Sequence, residues 1–154
     1  MDIIMTDKFE YFPQYCVWEL TLKCTMRCIH CGSKAGEERE NELSLDECLD
    51  VADQLLELGC ERVSFIGGEV FLYPGWEKVA ARMSEGGAVT NIVTNAWLSG
   101  DQQIQQIKDA QLENVAISID GMEENHNRIR NNPRSFQRIV KALDRYAKEE
   151  IPVS

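Results

Sequence analysis

Residues 17–31 read VWELTLKCTMRCIHC, and the fold turns on that stretch. Its first half, Val17 to Leu22, is rich in strand formers. Its second half carries Cys24, Cys28 and Cys31 in a C-x3-C-x2-C spacing. A strand that runs straight into three close thiols delivers them together at one of its ends. The other cysteines, Cys16, Cys48 and Cys60, are scattered singly and read as packing residues. The opening, MDIIMTDKFEYF, is acidic and mixed and lacks an apolar h-region. No apolar run approaches the roughly 20 residues that span a bilayer. The chain therefore reads as soluble and cytoplasmic, in a compartment that keeps thiols reduced, and the cysteine cluster calls for an explanation other than a disulfide framework.

Outward from that stretch, strands and helices alternate. Residues 33–41 are polar and acidic and read as a loop. Ser44 and Glu47 have capping-box spacing ahead of a helix whose buried stripe is Cys48, Val51, Ala52 and Leu55 and which stops at Gly59. Val63 to Ile66 is a second strand, ending in the tight loop Gly67-Gly68-Glu69. Pro74-Gly75 opens a helix from Trp76 to about Ser84. Val89 to Val93 is the third strand, followed by Thr94-Asn95. Ser99 with Gln102 caps a helix that buries Ile104 and Ile107. Val115 to Ile119 is the fourth strand, ending in Asp120-Gly121. A longer helix capped by Ser135 shows the stripe Phe136, Ile139, Val140, Leu143, Tyr146 and Ala147, and residues 151–153 open a fifth strand. Residues 1–16 form an irregular N-terminal extension, and 17–154 form one core.

The 154 residues are 44% hydrophobic and 27% charged, which fits a single globular domain. With 16 Lys and Arg against 26 Asp and Glu, the net charge of −10 argues against a backbone-reading nucleic-acid protein and against an anionic membrane surface. The fold class is α/β. Strands separated by helices run parallel, in either an open doubly wound sheet or part of a barrel. In both, ligands bind at the carboxyl ends of the strands. That rim receives the three cysteines from strand one, Gly67-Gly68-Glu69 from strand two, Thr94-Asn95 from strand three, and Ser118 and Asp120 from strand four.

Three thiolates suit an iron–sulfur cube with one iron left open to an exogenous molecule. Three other readings stand beside it. The i, i+4, i+7 spacing lines one face of a buried helix, although Lys23, Arg27 and Gly32 fit such a helix badly. A structural zinc site needs a fourth ligand, from His126 or a scattered cysteine. A redox disulfide leaves the third thiol idle.

The segment from Trp18 through Cys31 resembles the signature loop of the radical S-adenosylmethionine (SAM) superfamily. Gly67-Gly68-Glu69 resembles that family's amino-group-binding motif. Ser118 to Gly121 with His126 to Arg130 is similar to the fourth-strand segment of its peptide- and protein-modifying branch, whose members often carry a SPASM or twitch domain. The resemblance implies a partial (β/α) barrel of parallel strands, here apparently truncated after about four β-α units, so that the chain reads as an amino-terminal part of a longer enzyme.

By the same resemblance, Cys24, Cys28 and Cys31 ligate a [4Fe-4S] cluster whose fourth iron is chelated by SAM. His30 lies near the adenine, and Gly67 and Gly68 let the backbone approach the methionine part. Glu69 takes the SAM ammonium, Ser118 and Asp120 contact the ribose hydroxyls or the methionine end, and Arg130 takes the carboxylate. Asn95 sits beside cofactor or substrate. The implied reaction is reductive cleavage of SAM to a 5′-deoxyadenosyl radical that abstracts hydrogen. It is fed by a donor such as flavodoxin or ferredoxin and acts on a peptide or protein. The alternatives are a small-molecule substrate and a non-catalytic zinc- or cluster-stabilised module. Val70, Asn127 and Ala96 depart from the proline, aspartate and glycine usual in the family at those places. The acidic loop around Glu37, Glu38, Glu40 and Glu42 reads as a solvated face. His126 reads as the cap of a short turn.

Overall fold

A computed structural model describes residues 13–154, so most of the expected N-terminal extension lies outside the described residues. Strand β1 (Tyr15–Glu19) begins two residues before the expected start and ends three residues short of the expected end. The cause is Glu42. Its carboxylate accepts from the Thr21 hydroxyl and the Leu22 amide, both at 2.8 Å, and Gly36 donates to the Leu22 carbonyl at 2.7 Å. These partners draw the chain out of the ladder and into the cysteine loop.

Helix α1 (Leu45–Glu57) has both halves of the expected capping box between Ser44 and Glu47. Strand β2 (Arg62–Ile66) leads to a single 3-10 turn (Val70–Leu72), which the sequence pattern does not announce. Helix α2 (Trp76–Glu85) and strand β3 (Val89–Thr94) fall within a residue of expectation. Helix α3 (Asp101–Asp109) starts one residue later than read: the Gln103 side chain accepts from the Gly100 amide at 3.1 Å, so Ser99 is not the cap. Strand β4 (Asn114–Ile117) is followed by helix α4 (Glu123–Ile129), where a short turn is expected, and by helix α5 (Ser135–Lys148). Ser135 is the first residue of α5 and fully buried. The start of α5 is held by two asparagines, Asn127 accepting from the Phe136 amide and Asn132 from the Arg134 amide.

The strands pair in parallel in the order β1-β2-β3-β4. Val153 bridges Val115, with the Val115 amide donating to the Pro152 carbonyl and Ser154 exchanging bonds with Val115 and Ile117, so the outer edge of β4 is covered by the start of the expected fifth strand.

Burial differs between the sheet's two faces. Val63, Phe65, Ile92 and Val115 are buried with Trp76, Val79, Met83, Ile104, Ile107, Ile139 and Tyr146. Tyr15 and Val17 on the other face are more than half exposed, and there Tyr15 donates to Ser64, which bonds Asn91. A doubly wound sheet has both faces covered by helices. Fuller burial on one face, with partial burial on the other rising to exposure at β1, is the pattern of a curved, one-sided sheet, the partial barrel. Within α5, Val140 is 45% exposed, because the stripe narrows to Ile139, Ala142 and Tyr146. Among the described residues no helix is long and apolar enough to cross a membrane.

Candidate functional site

The loop after β1 is pinched shut at its base, where the Cys24 backbone amide donates to the Gly36 carbonyl at 3.0 Å and Lys23 bridges Gly36. Between these points the chain runs in turns, not helix, which removes the reading of the three cysteines as one face of a core helix. All six cysteines are free. Cys48 and Cys60 are in the core and Cys16 packs against it, as their scattered positions indicate. Cys24, Cys28 and Cys31 are only half-buried.

A cavity of about 260 Å3 opens at the carboxyl ends of the strands, and all three thiols line it. So do His30, Gly67, Gly68, Asn95, Ser118 and Arg130, making nine of the eleven residues singled out from the sequence. Glu69 and Asp120 stand outside its lining. Thr94, expected at this rim beside Asn95, also lines it, as do Met26 and Val93, which carry no signal in the spacing.

Each thiol has an N–H donor. Met26 donates its amide to Cys24 Sγ at 3.4 Å, and Asn95 Nδ2 lies 3.7 Å from the same sulfur. Ala35 donates its amide to Cys31 Sγ at 3.3 Å, and Arg130 Nη1 lies 3.9 Å from Cys28 Sγ. Burial pushes the Cys24 thiol up from its ordinary range. Among the described residues no three His, Cys, Asp or Glu side chains close around a single metal-ion position.

Gly67 and Gly68 serve a contact within the chain. A Cβ on Gly68 would sit 2.3 Å from the Lys23 carbonyl oxygen, and one on Gly67 2.7 Å from that of Thr21. Gly68 and Glu69 donate their amides to those same two residues, Gly68 to Thr21 and Glu69 to Lys23. The glycines thus let the β2 exit lie directly on the β1 exit. Glu69 is fully buried, with Oε1 accepting from the Thr94 hydroxyl at 2.7 Å and Oε2 from the Asn95 amide at 3.0 Å. Burial pushes its carboxyl up to about 7, against the pull of those donors and of the Arg130 charge. Glu69 therefore fixes the β3 exit, and through it the place of Asn95.

Asp120 is a hub. Arg130 grips it with a fork, Nε to Oδ2 at 2.6 Å and Nη2 to Oδ1 at 3.1 Å, and His30 Nε2 lies 3.4 Å from Oδ1. The Asp120 amide points to Nδ1 of His126 at 3.2 Å, and Nε2 of His126 meets the Ser135 hydroxyl at 2.9 Å. Burial, helped by the Arg130 charge, lowers the His126 pKa and favours the neutral ring. Nδ1 then accepts and Nε2 carries the proton. Ser135 in turn lies 3.8 Å from the Met26 sulfur, inside the cysteine loop. His126 is thus a fully buried link between the β4 exit and that loop.

The site is a cavity at the exits of a parallel, one-sided sheet, lined by three free thiols. The chain belongs to the Radical SAM superfamily, whose family model matches residues 18–154. It is 31% identical over 138 residues to the Fe-coproporphyrin III synthase of Methanosarcina barkeri, covering 89% of this chain and 35% of that protein. It is 26% identical to the sporulation killing factor maturation protein SkfB of Bacillus subtilis, covering 93% of this chain and 35% of that one. In fold it is similar to Streptococcus suis SuiB bound to the precursor peptide SuiA, with a TM-score of 0.79 at 19% identity, over 92% of this chain and 32% of SuiB. The chain spans about a third of the length of these relatives.

Proposed function

We propose that these residues form the amino-terminal part of the catalytic core of a radical SAM enzyme, in which Cys24, Cys28 and Cys31 hold a [4Fe-4S] cluster and the rim cavity receives SAM. The observation that carries this reading is the meeting of three half-buried thiols, each with an N–H donor, at a cavity formed by the exits of four parallel strands. The donor set fits the group: cysteine thiolates are the usual ligands of such clusters, and N–H groups aimed at the sulfurs stabilise them. When bound, cluster and SAM supply reductive C–S cleavage and a carbon-centred radical able to take a hydrogen atom.

The chain's own residues bind and orient. Gly67, Gly68 and Ser118 offer backbone and hydroxyl groups at the cavity wall to the methionine and ribose ends of SAM. Glu69, just behind that wall, supplies negative charge toward the SAM ammonium while it holds Thr94 and Asn95 in place. His30 at the cavity mouth faces the adenine side, and Asp120 fixes His30 and Arg130 together.

The proposed substrate is a peptide or protein, as the maturation role of SkfB and the peptide bound to SuiB support. SPASM or twitch segments, a flavodoxin or ferredoxin donor and a cytoplasmic setting complete the proposal. A small-molecule substrate is the second reading, favoured by the higher identity to the Fe-coproporphyrin III synthase. Anaerobic reconstitution followed by metal analysis and electron paramagnetic resonance tests the cofactor assignment. A cluster signal that changes on adding SAM is expected, and stoichiometric zinc without iron contradicts it. Labelled 5′-deoxyadenosine formed in the presence of candidate peptides or of porphyrin precursors then separates the two substrate classes.

A further inference from the structure

Arg130 has more donors than its carboxylate partner uses. A guanidinium carries five N–H groups in a rigid plane, and the fork to Asp120 uses those on Nε and Nη2. The remaining edge, Nη1, lies 3.9 Å from the Cys28 sulfur. Arg130 is 12% exposed and Asp120 17%, so the pair is poorly hydrated and its orientation is fixed. The backbone adds to that. Arg130 donates its amide to the His126 carbonyl at 2.8 Å, and Ile29, the residue after Cys28, donates to the Ile129 carbonyl at 3.0 Å. The end of α4 and the middle of the cysteine loop are therefore tied together on both sides of the Arg130–Cys28 contact. The donors to Cys24 and Cys31 are neutral amides, whereas the donor to Cys28 carries a full positive charge.

We propose that Arg130 is a positioning residue of the Cys28 thiolate, oriented by Asp120 so that its free edge rests on the sulfur, and that its charge raises the reduction potential of the cluster. This rests on the reading that the three cysteines hold a cluster. The physical reason is direct: reduction adds negative charge to the cluster, and a fixed cation with an N–H at one of its sulfurs stabilises the reduced state more than the oxidised one. Family resemblance alone gives Arg130 to the SAM carboxylate, and the two roles differ in what they require. A SAM ligand acts only when SAM is present, whereas a thiolate partner acts on the cluster by itself.

The test is a redox titration of the full chain, reconstituted anaerobically and followed by absorbance and electron paramagnetic resonance in the absence of SAM, with SAM affinity measured separately. Arg130→Met is expected to keep its iron but to show a roughly tenfold lower ratio of reduced to oxidised cluster at the potential that half-reduces the parent protein. That ratio corresponds to about 59 mV for a one-electron couple. Arg130→Lys, which keeps the charge without the fork, is expected to lose less, and Asp120→Asn to fall between the two. An unchanged titration in Arg130→Met, together with tenfold weaker SAM binding, overturns the proposal and returns Arg130 to SAM. Loss of iron from both Arg130 variants also overturns it, because the side chain then assembles the loop and does not tune it. A parent protein that takes up no iron–sulfur cluster at all refutes the cofactor assignment itself, an outcome distinct from either of these.

Discussion

Among the described residues two cavities invite comparison, and the larger of the pair is not where the chemistry gathers. A cleft of about 610 Å3 lies between the acidic loop and the start of α2, and none of the eleven candidate residues lines it. Most of its polar side chains already have partners within the chain. Lys23 pairs with Glu38 at 2.8 Å, Arg39 pairs with Glu19, and the Tyr73 hydroxyl donates to the Leu43 carbonyl at 2.7 Å. In the smaller cavity the thiols meet only long contacts to sulfur and keep ligand capacity to spare. Unspent donor capacity, more than volume, marks a binding site.

The sharpest way to break that contrast is at the wall of the smaller cavity. Gly68→Ala drives a Cβ to within 2.3 Å of a backbone carbonyl oxygen that has no rotamer to retreat into. We expect it to cost about 3 kcal/mol or more, read as a large fall in thermal midpoint. Gly32→Ala, which meets nothing within 4 Å in the same cysteine loop, is expected to stay within about 0.5 kcal/mol of the parent.

Next in size is the buried acid behind the wall. The Glu69 carboxyl is raised to about 7 from 4.5, so the folded apo-protein holds a proton that the unfolded chain releases. Its contribution to stability is complete below about pH 4.5 and is lost as pH rises through about 7, a span on the order of 3 kcal/mol. Thermal midpoints measured from pH 4.5 to 8 should show that decline, and Glu69→Gln should flatten it whatever its absolute stability.

The larger cleft makes the matching test on spent polar groups. Burial opposes ionisation of Glu42, but the Leu22 and Arg39 amides and the Thr21 hydroxyl outweigh it and hold the carboxyl below its ordinary value. Its contribution is present above about pH 4.5 and is lost as pH falls through that lowered value. Glu42→Ala should cost about 2 kcal/mol in urea unfolding near neutral pH, by stranding the donors it now satisfies.

A smaller effect than at Glu42 is expected at Ala96, which is buried with φ at +57°. The family's usual glycine suits that left-handed backbone, so Ala96→Gly should stabilise by about 1 kcal/mol in the same assay.

What could be read from the sequence follows from how each feature is encoded. The α1 capping box, the stop at Gly59 and the succession of four strands are local patterns and appear where the residues put them, although β4 ends at Ile117, two residues before the expected Ile119. Helix α4 escaped because EENHNRI has no apolar stripe: it is held by His126, a polar residue buried through partners nine and six positions away. The end of β1 was misplaced for a similar reason, since Glu42 acts from about twenty residues downstream. The glycine pair was legible as a motif, yet the close approach it permits, to the carbonyls of Thr21 and Lys23, shows only in three dimensions. Asp120 and Arg130 were each visible, but no periodicity pairs residues ten apart across a loop and a helix.

The most direct measurement is iron and acid-labile sulfide per chain after anaerobic reconstitution, comparing the parent with Cys24→Ala, Cys28→Ala, Cys31→Ala and Cys16→Ser. The account predicts the stoichiometry of one cube in the parent and in Cys16→Ser, and its loss in each of the other three. Full iron and sulfide in any of those three alanine variants would contradict it.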